Sequence, residues 1–224
     1  MSEVFVVDRG AFFAGDWPQG FTPLAGAAAA SFLAQAAAAG RYVDRPTAER
    51  TPAWKQWIPY CVLVSKPPGA AAPDGVFLVR RTNGQSEARL HGAWSIGLGG
   101  HVEPADGLPA GDGAAFFAGA LARELAEELA VRGPALPKAA FLGLLNDDST
   151  DVGRVHAGLV YRLEVPCDAA AAAQRIAVGE TGKMAGGFTH LVEFAKVWQT
   201  DAPFETWSSL LVRAEVVGSY GAPR

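Results

Sequence analysis

Three glutamates and an arginine crowd into one apolar segment, LARELAEELAV, from Leu121 to Val131. On a helix turning about 100° per residue, Leu125 and Leu129 continue the stripe that Leu121 begins. Glu128 and Glu124 fall about 20° and 60° to the other side of Leu121, so they border the stripe rather than oppose it. Glu127 and Arg123 carry on the charged face. Glu124 and Glu128 are also a like-charge pair one turn apart, which costs an isolated helix roughly 0.2–0.5 kcal/mol. A helix selected for stability alone would carry a lysine at one of those places. Half-buried carboxylates that repel each other need a cation.

The elements that must position them lie on either side. Upstream, WSIGLGGHVE (Trp94–Glu103) reads as a strand whose glycines mark close backbone approaches, with Gly99 and Gly100 at its end. A Gly-, Pro- and Ala-rich loop follows, and the helix is expected from about Ala114 to Val131. Strands are expected at IPYCVLVS and GVFLVRR, and again at AAFLGLLND and RVHAGLVYRLEV. Apolar spacing makes THLVEFAKVWQ and ETWSSLLVRAEVV helical. This order points to a mixed-sheet α/β or α+β sandwich. The N-terminal stretch has a different texture. It holds a short strand, VFVVDRG, a turn-rich loop, GDWPQGFTPL, and an alanine-rich helix from Leu24 to Ala39 with Phe32 and Leu33 inward. A polar connector, DRPTAERTP, closes it.

Composition bounds the partners. With 224 residues, half of them hydrophobic, the chain suits one large domain or one domain plus an extension. A net charge of −4 offers no basic excess, so no nucleic-acid polymer is expected. The two cysteines, Cys61 and Cys167, form no CxxC pair, which fits a reducing compartment and excludes a cysteine-built zinc site as the main chemistry. The alanine-rich run is too short to span a bilayer and lacks the basic start of a signal peptide. The expectation is a soluble, cytoplasmic chain with no membrane role.

GGHVEPAD, followed after a loop by RELAEELAV, resembles the Nudix box of the Nudix hydrolases. That pattern runs glycine, five residues, glutamate, seven residues, then Arg-Glu-apolar-x-Glu-Glu-x-Gly-apolar. Gly100, Asp106, Arg123, Glu124, Leu125, Glu127, Glu128 and Val131 take those places. Asp106 stands for the usual glutamate and Ala130 for the late glycine. Sixteen residues separate Asp106 from Arg123, nine more than the pattern has. WSIGLGGHVEPAD, VHAGLVYRLEV and ETWS are most similar to a subgroup of bacterial predicted phosphoesterases whose boxes are also interrupted. The likeness covers roughly Ile58 to Trp207.

The resemblance implies a Nudix α/β/α sandwich with a mixed β-sheet over residues 56–224, with residues 1–55 as an N-terminal extension packed on it. It also implies a pyrophosphohydrolase that cleaves a nucleoside diphosphate linked to a further group, using Mg²⁺ or Mn²⁺. Carboxylate and carbonyl oxygens are the ligands those ions prefer. Gly100, Glu124, Glu127 and Glu128 are the expected metal residues, and Glu127, Arg123 and Glu124 the catalytic ones. Glu127 can either bind metal or take a proton. Arg123 can pair with Glu127 one turn on or reach back to Asp106, and the resemblance favours the second.

Arg80 and Arg81 end a strand and could clamp phosphate, and His101 could touch phosphate or metal. Each could equally be a solvated or loop-bonded side chain. His156 reads better as a satisfied sheet histidine, Glu180 as an exposed loop glutamate, and Trp94 and Trp207 as core. GLGG lacks both the GxGxxG spacing and the P-loop lysine, so it is not a nucleotide-cradling loop. Two rivals remain: a Nudix-fold binding or sensor module without turnover, opposed by the three retained glutamates, and a metal-binding structural protein of another fold, opposed by the double glycine. The long insert is expected to be a surface excursion with Phe116 and Phe117 docking the helix start. The extension's Val4, Phe5, Val6, Phe12, Phe13, Phe32 and Leu33 must pack on the sheet or on a second subunit, the latter giving a homodimer.

Overall fold

The computed structural model describes residues 2–82, 92–179 and 181–218. In chain order they form β1 (Glu3–Asp8), α1 (Arg9–Phe12), β2 (Gly20–Pro23), α2 (Gly26–Ala38), β3 (Arg41–Asp44), α3 (Arg45–Ala48) and β4 (Trp54–Ser65). Next come β5 (Gly75–Arg81), β6 (Trp94–Ser95), β7 (Gly97–Gly99), a 3₁₀ turn at Pro104–Asp106, and α4 (Gly113–Glu128). The chain continues through β8 (Leu129–Val131), β9 (Ala140–Asn146), α5 (Asp151–Val155) and β10 (His156–Val165). It ends with α6 (Ala169–Arg175), β11 (Ile176–Val178), β12 (Met184–His190), α7 (Leu191–Trp198) and α8 (Thr206–Arg213). The α/β class expected from the sequence is the class that forms.

Two compact units alternate along the chain. One comprises Met1–Tyr60, Gly99–Glu124 and Phe141–Tyr161, and the other Cys61–Leu98, Leu125–Ala140 and Arg162–Arg224. In the first, β1 lies antiparallel to β3 and to the start of β4, with Val6 opposite Gln56. The segment read as a turn-rich loop contains β2, which pairs with β9 from Gly20↔Asn146 to Pro23↔Gly143. The segment read as a connector contains α3. There Asp44 accepts hydrogen bonds from the Thr47 amide and hydroxyl, an N-cap that starts a helix even in polar sequence.

The core of this unit is aromatic. Phe5 meets Tyr42, Phe116 and Phe117 edge-on, while Phe12 meets Phe32 and Trp57. Phe32 also stacks on Phe141. Such pairs add about 0.5–1.5 kcal/mol each beyond area burial. N-terminal side chains thus share one core with Trp57 and with the first turn of α4. The excursion is shorter than expected, because Asp112 caps α4 by accepting from the Ala115 amide and only Gly107–Asp112 is left as coil. Gly113 lies so close to the Leu33 carbonyl of α2 that a methyl group there would overlap it.

In the second unit β5 pairs antiparallel with β12 over its whole length, from Gly75↔His190 to Arg81↔Met184. β11 joins β12 to β8, where Ile176–Val178 run against Leu129–Val131. That pairing is why the carboxylate helix stops at Glu128, three residues before the expected end. The ETWS phrase serves packing here. The Ser208 hydroxyl accepts from the Ile96 amide at 3.0 Å, and Glu205 accepts from Arg81 Nε at 2.7 Å. Among the described residues no helix is long and apolar enough to cross a membrane.

Candidate active site

The strand end is shaped by two glycines with different reasons to be there. Gly99 has φ +149°, and a methyl group on it would overlap the backbone carbonyl of Pro59. At Gly100 a methyl group would overlap the carboxylate of Glu124. Glu124 thus reaches across from α4 and rests on the Gly100 backbone. Arg123 fixes the geometry from the next position. Its Nε and Nη2 donate to the two oxygens of Asp106 at 2.8 and 2.9 Å, its Nη1 to Glu124 Oε1 at 2.8 Å, and its Nη2 also to the His101 carbonyl at 2.9 Å. Of the two partners considered for Arg123, Asp106 is engaged by a two-pronged bond. A bidentate pair of this kind holds planar groups in register more firmly than a point charge could.

Asp106 does its work because the loop is tied. Its Oδ2 accepts from the Glu103 amide at 2.8 Å, closing a capping box around the 3₁₀ turn. The Tyr42 hydroxyl donates to the Gly107 carbonyl at 2.6 Å and lies 2.9 Å from that of Glu103. Burial and the Asp106 charge push that phenol up to about 12, against the opposing pull of Arg123. The shorter aspartate reaches the arginine because the 3₁₀ turn brings it close.

Along α4 the wheel reading is met side chain by side chain. Leu121, Leu125 and Leu129 are buried, Glu128 is 7% exposed, Glu124 is half-buried and Glu127 is exposed. Glu127 and Glu128 close the helix, and its last turn carries no basic residue. Carboxylates at that end face the negative pole of the helix dipole, which raises their cost further. Carboxylate oxygens gathered at one helix end fit a hard divalent cation. The Gly179 amide donates to the Glu128 carbonyl at 2.7 Å, so the chain passes the end of α4 just before Glu180. Glu180 itself lies outside the described residues.

The remaining candidates are placed as follows. Arg81 is buried and bonded to Glu205, whereas Arg80 is exposed, donates from Nε to the Gly92 carbonyl at 3.0 Å and lies over the Trp94 ring. His101 meets His156, their Nε2 atoms 3.1 Å apart. Burial, then His156 and Arg45, push His101 well below the usual imidazole range. Trp94 and Trp207 are both half-buried.

Two groups escaped the sequence reading. Glu49, from the supposed connector, comes within 3.9 Å of His101 and 3.8 Å of His156. Lys55 is fully buried, and its ammonium has four oxygens within 2.6–3.1 Å to share its three N–H groups among, those of Asn146, Asp148 and the carbonyls of Gly153 and His156. Burial pulls this lysine down to about 8, partly opposed by Asp148. Burial alone would raise Asp148, yet hydrogen bonds from Arg9, Lys55 and Gln19 hold it well below the usual carboxylate range. A lysine as the one charged residue of a mostly apolar strand, WKQWIPYCVLVS, was the available signal.

No protein-family model matches the chain. Protein YmaB of Bacillus subtilis (strain 168) is 36% identical over 189 residues, which is 82% of each chain. Among solved structures, Tm1382, for which a Nudix hydrolase function has been suggested, is 28% identical with a TM-score of 0.68, covering 96% of this chain and 98% of its own. A mutT/nudix family protein from Listeria innocua is 18% identical with a TM-score of 0.44 over 72% of this chain and 93% of its own, too distant to bear on the site. The chain is thus a relative of YmaB over most of its length, and its box residues sit in a fold that matches Tm1382, a suggested Nudix hydrolase, over nearly all of it.

Proposed function

We propose that this protein is a metal-dependent pyrophosphohydrolase that cleaves a nucleoside diphosphate linked to a further group. The observation that carries this reading is the Glu124 carboxylate seated against Gly100 while Arg123 bridges to Asp106. That arrangement keeps the box together despite the lengthened spacing. Gly100, Glu124, Glu127 and Glu128 would hold Mg²⁺ or Mn²⁺. A divalent ion there supplies charge neutralisation for the diphosphate and a water acidic enough to ionise near neutral pH. Arg123 orients Glu124 and keeps the 3₁₀ turn against the helix. Glu127, the exposed carboxylate, would either bind the ion or take a proton from water. Arg80, exposed at the end of β5, is the arginine available to a phosphate.

A screen of nucleoside diphosphate compounds with Mg²⁺ and with Mn²⁺, read by phosphate released after phosphatase treatment of the products, tests the activity. Glu128→Gln is expected to lower turnover by several orders of magnitude. It should also remove most of the rise in melting temperature that a divalent ion gives by binding the folded state. Wild-type turnover in that variant would overturn the site. Nucleotide binding without any cleavage would favour a binding module instead.

A further inference from the structure

We propose that Glu49, His101 and His156 form a second metal site, of the His₂-carboxylate kind that takes Zn²⁺ rather than Mg²⁺. The three donor atoms, Glu49 Oε1 and the two Nε2 atoms, make a triangle with sides of 3.1, 3.8 and 3.9 Å. Only the histidine pair is within hydrogen-bonding distance, and a plain histidine–histidine bond requires no third group. The two longer sides are too long for hydrogen bonds, yet an ion placed about 2.1 Å from every vertex would match zinc's bond lengths to nitrogen and oxygen. It would lie near the plane of the three atoms, leaving a position for water or a phosphate oxygen. Two imidazoles with one carboxylate select zinc-like ions over magnesium, which prefers oxygen donors.

Each ligand is held from behind. His156 donates from Nδ1 to the Val152 carbonyl at 2.7 Å, which leaves its Nε2 lone pair turned toward the other two. That second bond is the usual companion of a metal-bound histidine. Lys55 fixes the His156 carbonyl at 3.1 Å, and Arg123 fixes that of His101 at 2.9 Å. Glu49 follows α3, its amide donating to the Arg45 carbonyl at 3.0 Å. One cation already lies nearby. Arg45 Nε is 3.6 Å from the same Glu49 oxygen, on a side chain about one-third exposed. This pair must open when an ion binds, and the exposed guanidinium has solvent to turn into.

The inference does not rest on the reaction assigned to the carboxylate helix. The experiment takes the full chain, stripped with a chelator, and titrates it with Zn²⁺ against a chromophoric competitor. Zinc-edge absorption spectroscopy then reads the ligands. Expected are one tight Zn²⁺ with imidazole scattering in the wild type and in Glu128→Gln, and affinity weaker by roughly 100-fold in Glu49→Gln and in His101→Gln. Circular dichroism of each variant confirms that it is folded. Lack of uptake by the folded wild type would reduce the histidines to a hydrogen-bonded pair and overturn the proposal. Uptake lost in Glu128→Gln but kept in Glu49→Gln would also overturn it, by placing the ion on the helix.

Discussion

Gly99 and Gly100 are neighbours in sequence, yet substitution should break different things. At Gly99 a new methyl group meets backbone, the Pro59 carbonyl, and the residue sits at φ +149°. Neither can yield cheaply, so Gly99→Ala is expected to cost roughly 1–3 kcal/mol of stability. At Gly100 the methyl group meets the far end of a flexible side chain, the Glu124 carboxylate. Glu124 can swing aside, so Gly100→Ala should melt close to the wild type. It should nevertheless lose most of the stabilisation by Mg²⁺ or Mn²⁺, because the carboxylate no longer rests at the strand end. Melting curves with and without the ion, run on both variants, separate the two effects. A Gly100→Ala protein that keeps its full metal response would show that Glu124 does not need that seat. At this scale the helix was legible from one face angle, because burial of Glu128 and Glu124 follows directly from their nearness to the Leu121 stripe. Glu49 was not legible, since its partners His101 and His156 stand far away in sequence and no local spacing announces them.

The insert shows what a sequence can say about an element and where it stops. Its Gly, Ala and Pro content suggested a long loop. In the fold the Asp112 cap turns most of the extra length into additional turns of α4, and Phe116 and Phe117 from those turns enter the aromatic core. Capping is local chemistry and could be read at Asp112. The destination of the phenylalanines depended on Phe5, more than a hundred residues earlier. The two halves of the insert should therefore respond differently. Deleting Leu108–Gly111, part of the short exposed coil, should change stability little, because loop closure varies by only about 0.6 kcal/mol per doubling of length. Phe117→Ala empties a fully buried position and should cost about 3–5 kcal/mol. Urea denaturation of both proteins checks this. Equal midpoints would mean that the start of α4 does not anchor the helix. A cut of nine residues to restore the family spacing would have to remove helix as well as loop, and should not be tolerated.

At the scale of the molecule, the N-terminal segment is bound to later parts of the chain by both core and charge. Met1–Tyr60 shares a compact unit with Gly99–Glu124 and Phe141–Tyr161. Phe5 and Tyr42 face the α4 phenylalanines and the loop that holds Asp106, while Arg9 and Gln19 both hydrogen-bond Asp148, which in turn holds Lys55. None of this could be read from the segment alone, whose strand and helix looked like an appendage to a minimal fold. What could be read was the cost of leaving its large apolar side chains in water, roughly 1.5–3 kcal/mol each. A chain beginning near Trp54 would strip Phe116, Phe117 and Trp57 of their partners and remove Tyr42 from the Asp106 loop. It would also strip Asp148, the partner of Lys55, of the hydrogen bonds from Arg9 and Gln19. The expected outcome is a protein that aggregates or melts far below the full chain. Adding residues 1–53 back as a separate peptide should recover part of the melting temperature, since the contacts are noncovalent. A truncated chain that is soluble and as heat-stable as the whole would show that the aromatic core closes without its N-terminal half.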